Sequence, residues 1–175
     1  MDCAHRKVQA LHGEVFMVDE AWRVALEGMG ISSASDWTQV VGDDLASESP
    51  SLRCYRCDLP GAQTVYFKRY VYAKRKWHEF FLRPGKAAVE LWSYSRLKAL
   101  GIPTLQVVAF SERRLFGMLV AACIVTRGVP DTVDLEAFAR TVWCHWPRER
   151  RVETARALAG TLLAQARTAH RHGFF

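Results

Sequence analysis

The 175-residue sequence has no apolar run long enough to cross a membrane. Its most apolar stretch, Leu119 to Val125, falls far short of the roughly 20 residues a spanning helix needs. Asp2, Glu14, Asp19 and Glu20 occupy the part of the chain where a secretory leader would place an apolar core, so neither a signal peptide nor export is expected. Cysteine is sparse: Cys3, Cys54, Cys57, Cys123 and Cys144 form an odd set without framework spacing. This excludes a disulfide scaffold and points to a reducing, cytoplasmic setting. Cys54 and Cys57 do form a C-x-x-C, but zinc would need a second pair, and strand positions three apart face opposite ways. The chain also lacks a G-x-G-x-x-G, any internal repeat or low-complexity tract, and any carboxylate after Glu153.

Half of the residues are hydrophobic, enough for one domain with its own core or for a small lobe and the start of a second. The formal charge of +6 attracts phosphate-bearing partners. The basic residues are concentrated between Phe67 and Lys86, where Lys68, Arg69, Lys74, Arg75, Lys76, Arg83 and Lys86 face one acid, Glu79. We expect most of these to be solvated and one to be a ligand. Nucleic acid is a weaker candidate partner, because the interleaved Tyr70, Tyr72 and Trp77 also suit strand packing.

Hydrophobic periodicity supplies the elements. Asp19 caps a short helix carrying Trp22, Ala25, Leu26 and Met29, closed by Gly30. Trp37 to Val41 is expected as a strand and Gly42 to Ser51 as a loop. Leu52 to Leu59 and Thr64 to Tyr72 form a hairpin about Pro60-Gly61-Ala62-Gln63. Alternation in the second strand sets Tyr66, Lys68 and Tyr70 on one face. Lys86 to Leu100 is a helix ended by Gly101, with Glu90 in line with its apolar seam. A second hairpin pairs Thr104 to Phe110 with Leu115 to Thr126 through a polar turn, Ser111 to Arg114. Strand pattern gives way to helix pattern between Val125 and Pro130. Beyond it Asp134 caps a helix, Pro147 to Arg151 is a basic loop, and Val152 to His172 is a long helix capped by Gly173. Trp143, His145 and Trp146 are read as packing, and His170 and His172 as helix-end residues that suit the dipole.

A strand lysine whose neighbours turn toward a cleft can hold nucleotide phosphates as a point charge, provided something stops it swinging. Glu90, on the next helix, stands in the right order to do so. An unpaired carboxylate on that apolar seam would be costly, and a cation meeting it removes the cost.

Val65-Tyr66-Phe67-Lys68-Arg69-Tyr70, then Glu90 followed by Leu97-Lys98-Ala99-Leu100-Gly101-Ile102-Pro103-Thr104, then Ile124-Val125-Thr126, then Leu158 through His170 to Gly173, resemble the lipopolysaccharide kinase family of the Kdo/WaaP type. The resemblance runs from about Trp22 to the last residue, and the L-x-x-L-G-I-P turn is its most specific piece. It implies an α+β fold: a protein-kinase-like amino-terminal lobe of antiparallel sheet plus helix over 37–126, preceded by an extension over 1–36 and followed over 127–175 by a hinge and the first helices of an incomplete carboxy-terminal lobe. It implies ATP and Mg²⁺ as cofactors, the lipopolysaccharide core as acceptor, and peripheral contact with the cytoplasmic face of the inner membrane. By the same resemblance Lys68 contacts the phosphates, Glu90 orients it, and the backbone near Val125 and Thr126 borders adenine.

The sequence departs from the family pattern in three ways. Glycines do not cover the first hairpin, bulky Tyr66 stands where protein kinases keep a small residue, and the aspartate and asparagine of a catalytic loop are missing. The expectation is an amino-terminal part that is inactive alone and has no metal ligands. The alternative is a non-catalytic lobe that binds a nucleotide or a partner.

Overall fold

The computed structural model describes residues 8, 10–61 and 63–174. Cys3, Ala62 and Phe175 lie outside them. The described residues fall into two compact units, one running up to Arg96 and resuming over Thr104–Val129, the other made of Leu97–Pro103 and the chain from Pro130 onward.

The first unit is built on a six-stranded antiparallel sheet. Its strands are β1 (Gly13–Val18), β2 (Asp44–Ser49), β3 (Leu52–Leu59), β4 (Gln63–Val71), β5 (Val107–Leu115) and β6 (Met118–Arg127), in the order β1-β5-β6-β4-β3-β2. Alternation along β4 and β6 gives the sheet two apolar faces. Phe67 and Val125 join Trp22, Leu26 and Trp37 on one face, where the short helix α1 (Arg23–Gly28) packs. Tyr70, Ala122 and Ile124 join Ala87 and Ala88 of α2 (Lys86–Ala99) on the other. The small side chains of Ala87 and Ala88 let the start of α2 lie close against the strands.

Several expectations are corrected. Trp37–Gln39 is a 3₁₀ turn, not a strand. Trp37 is wholly buried and its indole donates to Glu14 at 2.6 Å. Arg69 holds the same segment: its guanidinium donates to the carbonyls of Thr38, at 2.5 Å, and Val40, at 2.8 Å. Arg69 is therefore buried and does not belong to the solvated basic face.

The loop expected over Gly42 to Ser51 contains edge strand β2, whose residues are all exposed. It forms because β3 offers a free edge, not because its composition favours a strand. Ser111 to Arg114 is not a turn either: β5 runs through it, and the turn is Phe116-Gly117, both at positive φ, 48° and 82°. Ser111, Glu112 and Arg114 are buried because each finds a partner.

In the second unit, α3 (Leu135–Thr141) is capped by Asp134, which accepts from the Ala137 amide at 2.6 Å. The supposed basic loop is helical: α4 (Arg148–Arg171) starts directly after Pro147, a residue suited to helix starts. Gly173, at φ 63°, ends it, with the Phe174 amide donating back to the Ala169 carbonyl at 3.1 Å. Phe138 meets Trp143 and Trp146 edge to face, and the Arg150 guanidinium lies 3.9 Å from the Trp146 ring centre. Leu158, Leu162 and Leu163 on α4 are exposed.

Candidate nucleotide-phosphate site

Lys68 sits in the middle of β4, opposite Cys54 on β3 and Ile124 on β6. Tyr66 and Tyr70 lie two residues to either side, so all three side chains share the face on which α2 packs. Glu90 lies one turn into α2, just past the buried Ala87 and Ala88, and is thereby carried to that face. Its Oε2 is 2.8 Å from Lys68 Nζ, and its Oε1 accepts from the Tyr70 hydroxyl at 2.5 Å. Both oxygens of the carboxylate are thus engaged.

The Lys68 and Glu90 side chains are each about one quarter exposed, at 26% and 27%. Glu90 takes one of the three N–H donors of the ammonium, which leaves the cation bonding capacity toward an incoming anion. Burial alone would lower the Lys68 pKa, but the hydrogen bond and charge of Glu90 more than reverse this and hold it above the ordinary lysine value. The ammonium is charged at neutral pH. Burial, followed by the hydrogen bond to Glu90, pushes the Tyr70 phenol well above the usual tyrosine range, so it stays a donor. Burial also raises Tyr94, one turn beyond Glu90, while Lys68 lowers it and Glu90 raises it. Tyr94 belongs to the same electrostatic cluster.

The four residues expected at the site separate. Lys68 and Glu90 meet directly. Thr126 is buried opposite Tyr66, on the Lys68 side of the sheet. Val125 faces the other way, into the core with Phe67 and Trp22. The backbone of both residues is paired on each side, with β4 and with β5. Beyond them, the Gly128 amide still donates to Thr64 at 2.7 Å. Of this pair only the Thr126 side chain is directed to the Lys68 face.

Sequence reasoning missed Tyr70 and Tyr94 as members. Their signals were present: Tyr70 is at i+2 from Lys68 on a strand, and Tyr94 at i+4 from Glu90 on a helix. Cys54 lies beside Lys68, whereas Cys57 points into the opposite core, its thiol pushed up to about 11, chiefly by burial. The C-x-x-C therefore does not converge, and among the described residues no three His, Cys, Asp or Glu side chains group to hold a metal ion.

An antiparallel sheet with one helix on a face, joined across that face by a strand lysine and a helix carboxylate, defines a kinase-like lobe. The solved structure of WaaP in complex with acyl carrier protein shares this fold, with a TM-score of 0.52 at 20% sequence identity, over 78% of this chain and 49% of that one. The chain spans about half the length of that structure. The lipopolysaccharide kinase (Kdo/WaaP) family matches residues 61–174, more than half of the sequence, and the chain belongs to that family. No curated protein matches it.

Proposed function

We propose that the chain forms the nucleotide-holding part of an ATP-dependent kinase acting on sugars of the lipopolysaccharide core, with Lys68 as the phosphate ligand. The observation that carries this reading is Lys68 held at 2.8 Å by Glu90, whose second oxygen is tied to Tyr70 at 2.5 Å. A flexible four-carbon stem loses much entropy when its ammonium is fixed. Pairing with a carboxylate that is itself fixed meets that cost before the nucleotide arrives, so less of the binding energy goes into ordering the cation.

In this reading Glu90 and Tyr70 are positioning residues, Thr126 and Tyr66 border the base, and residues 37–126 act as the nucleotide lobe, followed over 127–175 by the hinge and first helices of the lobe that receives the acceptor. The donors present suit phosphate oxygens. Among the described residues no three His, Cys, Asp or Glu side chains group beside them to hold Mg²⁺. No residue of the chain is assigned as the base that accepts the hydroxyl proton, so the chain alone is expected to bind nucleotide without transferring phosphate.

The test is nucleotide affinity, measured by fluorescence titration with a labelled ATP. Lys68→Ala removes a charge-assisted contact and weakens binding by about 10- to 100-fold. Glu90→Gln weakens it by about tenfold, because it leaves the ammonium unbraced. Lys74→Ala, a surface control, leaves it unchanged. Equal affinity in the wild type and Lys68→Ala contradicts the proposal.

A further inference from the structure

We infer that the first unit carries a second anion site, for the phosphate group of a small phosphorylated polyol, on the face of the sheet turned away from Lys68. The site goes beyond the nucleotide reading and shares no residue with it. Arg53 on β3 and Arg69 on β4 stand directly opposite each other in the strand register, and Glu48 on β2 pairs with Arg53 along the same rung. Arg69 follows Lys68 in β4, so the two-residue period sends its side chain to the other face. There the rung borders a cavity of about 600 Å³ between the β2–β3 turn and the 38–39 segment, lined among others by Thr38, Gln39, Ser49, Ser51, Arg53 and Arg69. That volume is in the range of small-molecule sites.

Two cations directly opposite each other on a sheet repel. Arg69 is nonetheless fixed in place: it donates to the Thr38 carbonyl at 2.5 Å, the Val40 carbonyl at 2.8 Å and the Tyr55 hydroxyl at 3.3 Å. These bonds take three of the five N–H groups of its guanidinium. Arg53 is drawn to the same place, its pKa raised above the ordinary arginine value by the hydrogen bond of Glu48 first and that of Tyr55 second. The two guanidiniums therefore converge on one buried phenol. Holding the 38–40 segment explains a buried Arg69, but it gives no reason for a second arginine beside it.

An anion between them does. A phosphate monoester carries close to two negative charges at neutral pH, which two guanidiniums match. Their planar forks also offer paired N–H groups to its oxygens. A single carboxylate would balance only one of them. Glu48 is the one acid among the lining residues, and it holds Arg53 at 2.8 Å with both side chains about half exposed. Exposed pairs of this kind contribute little, so Arg53 can exchange Glu48 for a dianion. The hydroxyls of Thr38, Ser49 and Ser51 and the amide of Gln39 line the rest of the cavity, which suits a hydroxylated body better than an apolar one.

Isothermal titration calorimetry with glycerol 3-phosphate tests this, on the full chain carrying Lys68→Ala so that the nucleotide ligand does not compete. Glycerol 3-phosphate binds, whereas glycerol and acetate do not. Adding Arg53→Ala weakens binding by about tenfold or more. Adding Glu48→Gln instead strengthens it by about 2- to 5-fold, because the competing carboxylate is gone. Arg53 is exposed, so its removal leaves circular dichroism and melting unchanged. If Lys68→Ala fails to fold, the wild type compared with Arg53→Ala carries the test. The inference is overturned if glycerol 3-phosphate does not bind, if it binds the Arg53→Ala chain equally well, or if acetate binds as tightly.

Discussion

Two of the ion pairs in the first unit, Arg114–Glu112 and Lys68–Glu90, differ in what each leaves unspent. Arg114 and Glu112 are buried; every guanidinium nitrogen has a protein acceptor, and the free Glu112 oxygen accepts from the Gly85 amide at 3.2 Å. Lys68 and Glu90 are a quarter exposed, and their ammonium has a single carboxylate partner backed by a tyrosine. The first pair has no capacity left for a ligand and serves to hold backbone. The second is braced yet open, as a phosphate ligand must be. Charge alone does not distinguish the two pairs; the unused bonding capacity does.

The largest effect expected from this contrast falls on the buried pair. Glu112→Ala strands a buried guanidinium and lowers unfolding free energy by about 3–5 kcal/mol in a denaturant titration. A loss below about 1 kcal/mol would place the pair among surface bridges and dissolve the contrast. Gly85→Ala comes next: a Cβ there would lie 2.4 Å from Leu119 Cδ2 and 3.0 Å from Glu112 Oε1, so either the buried Leu119 side chain or the start of α2 must shift. The same titration should show about 1–3 kcal/mol lost to overpacking.

Alkaline pH sharpens the comparison from the other side. Burial pushes the Tyr72 phenol up to about 12, Tyr70 stands higher still, and Lys68 also lies above its ordinary value. These groups hold their protons more tightly when folded. Their contribution is therefore intact below the unfolded tyrosine range and is lost as pH rises from about 10 through about 12. Unfolding free energy measured from pH 8 to 12 should fall in that window and not between pH 6 and 9. Tyr70→Phe has the smallest effect: it removes one bond to Glu90, costs about 1 kcal/mol, and shallows the alkaline fall.

The sequence made the second pair visible and hid the first. Lys68 stands in a strand of clear alternation and Glu90 in a helix bounded by Pro84-Gly85 and Gly101, so period placed both elements, and the apolar seam around Glu90 together with the order of a kinase-like lobe paired them. Leu52–Leu59 was legible in full for the same reason. Ser111-Glu112-Arg113-Arg114 has the composition of a turn, and only tertiary pairing makes it strand. Arg114 is satisfied by carbonyls of residues 80, 83 and 117, which no local pattern announces. Strand β2 is exposed throughout, and β1 lies at the other edge, where pairing with β5 and not periodicity creates it. Arg69 looked like its basic neighbours until its acceptors in the 38–40 segment were in view.

The most direct measurement of the central claim is the reactivity of the Lys68 amine toward an acylating reagent, followed by mass spectrometry with and without ATP. Saturating nucleotide should slow modification of Lys68 by about tenfold or more while Lys74 and Lys76 react as before. Modification of Lys68 at the same rate in both conditions would contradict its assignment as the phosphate ligand.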